Sequence, residues 1–172
     1  MKPSNLTTKI FLDSGDPEDT KKMIGILGFL DGQTTNPSLV AKKLADQGLG
    51  NGERGKKLSE KELLNEYKKI VQEISSIIPQ GSVSIEVYAD KTTTAEQMLV
   101  QGKEMFSWIP NAHIKFPTTA EGLKAAERAV IEGMRVNMTL VFTQSQAAAV
   151  YAATKHAGKE SLTGHKNIFV SP

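Results

Sequence analysis

The sequence contains no cysteine, which excludes disulfide bonds and thiolate chemistry and fits a reducing compartment. No stretch approaches the ~18 apolar residues of a membrane span, so we expect no membrane association. Residues 1–8 are polar and lack the apolar core of a signal peptide, so we expect a cytoplasmic protein. Neither sign of charge dominates, with 21 Lys and Arg against 19 Asp and Glu. A dedicated nucleic-acid-binding protein would show a basic patch or stripe, so we expect no nucleic-acid partner.

The overall amino-acid composition is typical of a globular protein. The chain has 172 residues, of which 39% are hydrophobic and 23% charged. This length predicts one domain covering residues 1–172. There is no internal repeat, low-complexity run or linker.

Apolar stretches alternate with helix-like segments along the whole chain. Asp16-Pro17 and Asn36-Pro37 each place a capping side chain before a proline, which is typical of a helix start. Further helix starts are predicted from capping boxes that begin at Ser59, Thr93 and Thr118. Predicted strands cover residues 9–13, 32–35, 82–88, 112–116, 135–142 and 167–171, and residues 47–57 are predicted to form a loop. This alternation implies parallel βαβ units, in either a (β/α) barrel or a doubly wound sheet.

The predicted strands carry polar side chains on one face, at or near their C-terminal ends. Because side chains alternate between the two faces of a strand, Ile114 and Phe116 are expected to face the helices and Lys115 the opposite side. Parallel strands of a doubly wound sheet are apolar on both faces, whereas a barrel holds its chemistry at the C-terminal mouth. The pattern therefore favours an inward-facing polar site over a set of solvated strand ends. That set comprises Asp13, Asn36, Glu86, Lys115, Asn137, Thr139 and Ser171.

A lysine in this set indicates nucleophilic chemistry. Burial disfavours the ammonium form, and a neutral amine attacks a carbonyl group to give a Schiff base. The protonated imine is an electron sink that lets the adjacent C–C bond break, and carboxylates such as Glu86 and Asp13 can carry the protons. Polar groups for a water and for sugar hydroxyls are offered by Thr139, Asn36, Asn137 and Ser171. No His, Asp and Glu cluster shows metal-ligand spacing, so a metal-dependent aldolase is not expected.

Six segments resemble, in the same order, those of the transaldolase family. DGQTTNPSLV at residues 31–40 resembles the family's segment around TTNPS. HIKFPTTAEGLKAA at residues 113–126 resembles the segment around the Schiff-base lysine. KIFLD, SIEV, VNMTLVF and the terminal VSP match as well. The resemblance covers nearly the whole chain.

The resemblance implies an α/β fold of the (β/α)8 TIM-barrel type, with about six of the eight βα units in this chain. It also implies a lysine Schiff base without cofactor or metal. The implied reaction transfers a dihydroxyacetone unit from sedoheptulose 7-phosphate to glyceraldehyde 3-phosphate, giving erythrose 4-phosphate and fructose 6-phosphate in the pentose phosphate pathway. The implied catalytic residues are Lys115 for the Schiff base, Asp13 and Glu86 for proton transfer, and Thr139 for the water. The implied substrate-binding residues are Thr35, Asn36, Asn137 and Ser171.

Three alternatives remain beside this reading. The related fructose-6-phosphate aldolases typically carry Gln where Glu86 stands, so Glu86 favours transfer over simple cleavage. A non-catalytic transaldolase-like protein would fold without forming an imine. A flavodoxin-like binding module is disfavoured because no Gly-rich phosphate loop follows the first strand.

The chain also departs from the family pattern. In the family, VSP continues into FVGR, whose Arg helps to bind phosphate, and a second such Arg follows later. We therefore expect a truncated gene product, or a partner chain that supplies the rest, with phosphate-binding residues beyond Pro172. Small transaldolases are often ring-like, so a homo-oligomer is compatible with the resemblance. His113 stands where an apolar residue is usual, and we expect a hydrogen-bonded interior histidine there.

Overall fold

A computed structural model of the chain describes residues 2–46, 48, 58–157 and 168–172. The predicted loop at residues 47–57 lies outside the described residues, apart from Gly48. Six strands alternate with six helices in the described part. The strands are β1 (Phe11–Asp13), β2 (Gly32–Thr34), β3 (Ser82–Glu86), β4 (Ala112–Pro117), β5 (Val136–Thr139) and β6 (Ile168–Val170). The helices are α1 (Pro17–Leu27), α2 (Pro37–Asp46), α3 (Glu60–Ile77), α4 (Ala95–Phe106), α5 (Ala120–Ile131) and α6 (Gln144–Thr154).

The chain forms two compact units. The first unit comprises Met1–Ser84 and Trp108–Asn111, and the second comprises Ile85–Ser107 and Ala112–Pro172. Strand β3 gives its first three residues to the first unit and its last two to the second. The single domain expected over residues 1–172 stays a prediction.

In the first unit, β2 lies between β1 and the start of β3, and all three run parallel. Gly32 of β2 pairs with Phe11 on one side and with Ser82 on the other. A Cβ at Gly32 would lie 2.4 Å from Cε1 of the Phe11 ring and 2.7 Å from the Ser82 carbonyl oxygen. The missing side chain therefore makes room for the Phe11 ring. Helices α1 and α2 both pack against α3.

In the second unit, β4, β5 and β6 are parallel and adjacent in chain order. Ile114 and Phe116 of β4 are fully buried. They contact α4, where a Cβ on Gly102 would lie 3.0 Å from Phe116 Cζ and 3.2 Å from Ile114 Cγ2. Their predicted orientation towards the helices is confirmed, so alternation places Lys115 on the opposite face.

The strand order confirms the barrel-type α/β fold. In a flavodoxin-like sheet the first strand lies between the second and the third. Here β2 lies between β1 and β3, which excludes that topology. The six parallel strands follow one another in chain order, as in part of a TIM barrel. Among the helices that the structure describes, none is long and apolar enough to cross a membrane.

Two helices begin one residue later than the capping boxes predicted. Thr94, and not Thr93, caps α4, because the Thr93 hydroxyl donates to Asp90 Oδ1 at 2.9 Å instead. Thr119, and not Thr118, caps α5, because the Thr118 hydroxyl donates to the Thr139 carbonyl at 2.8 Å. Adjacent threonines are equally good caps by residue type, so the other hydrogen bonds of each hydroxyl decide between them, within the turn at Thr93 and with β5 at Thr118. The predicted starts of α1, α2 and α3 are confirmed.

Candidate active site

Lys115 and Glu86 form an ion pair in the second unit. The backbone N–H of Val87 donates to the Lys115 carbonyl at 3.2 Å and holds the end of β3 beside β4. On the face opposite the buried Val87, Glu86 Oε2 lies 3.2 Å from Lys115 Nζ. Lys115 is only 5% exposed. The carboxylate offsets part of the cost of burying the ammonium group and lies within reach of its proton.

Asn137 lies beside Lys115 on the next strand and is held by Ser171. The two residues are register partners on β4 and β5, and Asn137 is fully buried. Ser171 Oγ donates to Asn137 Oδ1 at 3.0 Å. The Ser171 backbone N–H donates to the Met138 carbonyl at 2.8 Å, which anchors the end of β6 on β5.

Thr139 ends β5 and has its hydroxyl available. Its carbonyl oxygen accepts two hydrogen bonds from Thr118, one from the backbone N–H at 3.0 Å and one from the hydroxyl at 2.8 Å. The residue is 4% exposed. Its own hydroxyl makes no hydrogen bond to another residue in the described part of the chain. That hydroxyl is therefore able to bind a water or a ligand group.

The residue after Thr139 has an unusual backbone conformation. Leu140 has φ 64°, in the left-handed region that costs a non-glycine residue about 1–2 kcal/mol. The following N–H, that of Val141, donates to the Ser171 carbonyl at 3.1 Å. Sequence reasoning placed Leu140 in an ordinary strand, because only Gly or Asn would have marked a left-handed position.

The predicted residues of the first unit are engaged in local contacts. Asp13 is exposed, and its Oδ1 accepts a hydrogen bond from the Thr34 hydroxyl at 2.8 Å. Asn36 Oδ1 accepts the backbone N–H of Leu39 at 2.9 Å and so caps α2.

Thr35 is fully buried in the first unit. Its hydroxyl lies 2.7 Å from the Ser84 carbonyl oxygen and 2.7 Å from the Tyr67 hydroxyl. The Ser84 carbonyl only accepts, so the single hydrogen of Thr35 goes to it and Tyr67 donates in the second bond. Thr35 thus joins the end of β2 and Ser84 of β3 to helix α3.

Comparison with known proteins identifies the family. The family model described as Transaldolase/Fructose-6-phosphate aldolase matches residues 10–172. The chain belongs to this family. It is 39% identical over 139 residues to a probable transaldolase of Dehalococcoides mccartyi, which covers 81% of this chain and 54% of that protein. Probable transaldolases of Agathobacter rectalis and Thermus thermophilus are each 37% identical over 139 residues, covering 81% of this chain and 54% and 55% of those proteins. The chain spans about half the length of the curated relatives it matches.

The structure distributes the residues that the transaldolase resemblance singled out over the two units. Those in the second unit are Glu86, Lys115, Asn137, Thr139 and Ser171, and those in the first are Asp13, Thr35 and Asn36. Within the second unit they lie on or directly after four successive strands, β3 to β6. Their roles in catalysis and in substrate binding stay predictions.

His113 and Phe169 form an aromatic contact on the same side of the sheet as Lys115. Both belong to the second unit, and their ring centroids are 4.8 Å apart with the planes tilted by 44°. His113 precedes Lys115 by two residues and is half-buried, while Phe169 is the register partner of Asn137. Sequence reasoning missed Phe169, although alternation along β6 puts it on the face of Ser171.

The loop after β3 has a fixed negative charge at Asp90. Its Oδ1 accepts the Thr92 N–H at 2.7 Å, the Thr92 hydroxyl at 2.8 Å and the Thr93 hydroxyl at 2.9 Å. These hydrogen bonds, the Thr92 N–H first, lower the pKa of Asp90 to about 2. Sequence reasoning did not single out this turn. In the part of the chain that the structure describes, no group of three or more His, Cys, Asp or Glu is placed to hold a metal ion.

Proposed function

We propose that Lys115 of this transaldolase-family chain forms a Schiff base with a ketose phosphate and transfers its dihydroxyacetone unit to an aldose phosphate. The proposed substrates are those of the family resemblance, sedoheptulose 7-phosphate and glyceraldehyde 3-phosphate, with erythrose 4-phosphate and fructose 6-phosphate as products. One observation carries the proposal: the buried amine of Lys115 lies 3.2 Å from the carboxylate of Glu86, on the face of β4 that is turned away from the helices. A desolvated amine beside a proton acceptor is the arrangement that a Schiff-base nucleophile needs.

In the proposed first half-reaction, Glu86 takes a proton from the Lys115 ammonium group, since the two groups are 3.2 Å apart. The free amine attacks the ketose carbonyl carbon and gives a carbinolamine. Glu86 then returns a proton through a water at Thr139, so that the hydroxyl leaves as water and a protonated imine remains.

In the proposed second half-reaction, a carboxylate takes the proton of the C4 hydroxyl. The C3–C4 bond breaks, its electrons move onto the imine nitrogen, and the aldose leaves. We assign this proton to Asp13 on the strength of the family resemblance. The enamine that remains on Lys115 attacks the carbonyl of the acceptor aldose, and the same steps in reverse release the new ketose.

Substrate positioning is assigned to the remaining polar residues. Asn137 is held by Ser171 beside Lys115, so both offer polar atoms to the hydroxyls of a bound sugar chain. Thr35 and Asn36 are proposed to orient the substrate on the evidence of their motif. We further propose that the protein acts in the cytoplasm, in the pentose phosphate pathway, as a homo-oligomer.

The test is borohydride trapping with fructose 6-phosphate, followed by intact-mass and peptide mass spectrometry. We expect a dihydroxyacetone-sized adduct on Lys115, since borohydride reduces the imine to a stable amine. No adduct from a folded sample would overturn the proposal. Release of free dihydroxyacetone without an acceptor aldose would show a fructose-6-phosphate aldolase instead of a transaldolase.

A further inference from the structure

We propose that Thr118 is a positioning residue for the Schiff-base reaction and acts through Thr139. The inference rests on the proposed function, in which the Thr139 hydroxyl holds the water that carries protons. Thr118 stands directly after β4, and its half-buried hydroxyl donates to the Thr139 carbonyl at 2.8 Å.

The Thr118 hydroxyl adds to the strand pairing and is not part of it. Ile114 N–H donates to the Arg135 carbonyl at 2.9 Å, and Thr118 N–H donates to the Thr139 carbonyl at 3.0 Å, in the regular spacing of a parallel ladder. The hydroxyl is a second donor to the same oxygen. A substitution that removes it leaves the backbone bond between β4 and β5 in place.

Three consecutive peptide groups around Thr139 are each held from outside β5. The first gives its Met138 carbonyl to the Ser171 N–H at 2.8 Å, and the third gives its Val141 N–H to the Ser171 carbonyl at 3.1 Å. The middle peptide group, which joins Thr139 to Leu140, is held at its oxygen by Thr118. Ser171 and Thr118 thus fix the backbone on both sides of the Thr139 side chain.

The middle peptide group is the one that backbone strain would rotate. Leu140 has φ 64°, and rotation of the peptide plane between residues 139 and 140 would take it out of the left-handed region. Such a rotation must break both hydrogen bonds to the Thr139 oxygen. Thr118 therefore opposes the relaxation of Leu140.

The position of the Thr139 hydroxyl depends on this backbone. Thr139 is 4% exposed, and its hydroxyl bonds to no other residue among those described, so its own backbone fixes where it lies. If the backbone relaxes around Leu140, the Cα and Cβ atoms of Thr139 shift with it, so the hydroxyl moves and the water it holds loses its place beside the imine. Loss of the Thr118 hydroxyl should therefore slow proton transfer without weakening the affinity for the sugar.

The experiment measures the rate at which the borohydride-trapped adduct forms at several concentrations of fructose 6-phosphate. It compares the wild-type chain with T118V, which lacks the hydroxyl but keeps the shape, and with T118S, which keeps the hydroxyl. T118A is a second hydroxyl-free variant in case T118V does not fold, and circular dichroism checks folding. We expect T118V to lower the maximal rate about fivefold to tenfold, as for one lost hydrogen bond, with an unchanged half-saturating concentration. T118S should stay within about twofold of the wild type, well inside the effect of that lost bond.

Each other outcome overturns the inference. If a hydroxyl-free variant forms the adduct as fast as the wild type, the Thr118 hydroxyl has no role in the reaction rate. If T118S is as slow as T118V, the loss of rate has a cause other than the missing hydroxyl. A change in the half-saturating concentration alone would assign Thr118 to substrate binding. If the wild type traps no adduct, the proposed function fails and this inference fails with it. A wild-type adduct beside an unaffected T118V overturns the role of Thr118 alone.

Discussion

The candidate residues of the two units are engaged in different ways. In the first unit, Thr35 and Asn36 bond to the backbone of their own unit, one as a buried link between strands and the other as the cap of α2. In the second unit, the side chains pair with each other across strands, Lys115 with Glu86 and Ser171 with Asn137. The family signature at residues 31–40 thus coincides with structural contacts, whereas the segments of the second unit meet in one cluster of functional groups.

This contrast predicts that substitutions in the two units have different effects. Substitution of Thr35 or Asn36 in the first unit should lower the free energy of unfolding, in addition to its effect on the substrate, because both side chains hold the backbone of their own unit. Substitution of the paired residues of the second unit, such as Lys115, should change the chemistry more than the stability. Experiments at Lys115 and Thr35 test the contrast, and experiments at Leu140 and Asp90 measure what the backbone and a fixed charge contribute to the stability of the second unit.

The largest effect is expected from Lys115→Met. Without the amine no imine forms, so borohydride trapping with fructose 6-phosphate should give no adduct at all. The matched control is Lys124→Met, which removes an exposed lysine paired with Glu121 in the same unit and should trap as the wild type does. An adduct of unchanged yield in K115M would show that another residue is the nucleophile. The contrast between the two units would then no longer hold.

Thr35→Val should lower stability in the first unit. The change removes two buried hydrogen bonds, to the Ser84 carbonyl and to the Tyr67 hydroxyl. We expect the free energy of unfolding, measured by urea titration, to fall by about 1–3 kcal/mol. Thr35→Ser keeps the hydroxyl and is the control. Slower trapping by T35V at unchanged stability would instead assign Thr35 to the substrate, as the sequence resemblance predicts.

Leu140→Gly should raise stability in the second unit. Glycine relieves the left-handed strain at φ 64° but loses more chain entropy on folding, so the net gain should be about 0.5–1 kcal/mol. The control is Phe142→Gly, because Phe142 has an ordinary φ and is 68% exposed. That change should lower the urea midpoint. If L140G lowers the midpoint as much, the conformation at Leu140 is not strained.

The smallest effect, a pH dependence, is expected at Asp90. Its pKa is lowered from 3.8 to about 2 by hydrogen bonds in the folded chain. Its ionised form therefore stabilises the fold fully above pH 3.8, and the contribution disappears as the pH falls through about 2. Asp90→Asn should be less stable than the wild type at neutral pH, and the two urea midpoints should converge near pH 2. A constant difference across that range would show that the pKa of Asp90 is not lowered.

Much of the fold followed from local patterns. Capping residues before prolines marked the starts of α1 and α2, and alternation put Ile114 and Phe116 towards α4. Such signals act within one helical turn or between residues two apart, so neighbouring elements do not change them. Where two threonines stood side by side, the local signal was ambiguous and the caps of α4 and α5 were placed one residue early.

The candidate site was predictable only in part. The face of Lys115 follows from its strand, whereas its proposed chemistry rests on the resemblance of the motif around it. Its ion pair with Glu86 depends on the register of β3 against β4. That register cannot be predicted from the sequence of either strand alone. The engagement of Thr35 with Tyr67 depends likewise on how α3 packs over β2.

The sequence by itself determined the α/β class, the succession of parallel βα units and the family, because these rest on local periodicity and on motifs within single segments. Only the tertiary structure decided which side chains meet. Leu140 has its left-handed conformation between peptide groups that are hydrogen-bonded to Ser171 and Thr118, residues of other segments. A locally unfavourable conformation persists where the surrounding structure fixes the neighbouring peptide groups, and those contacts come from segments that local patterns do not include.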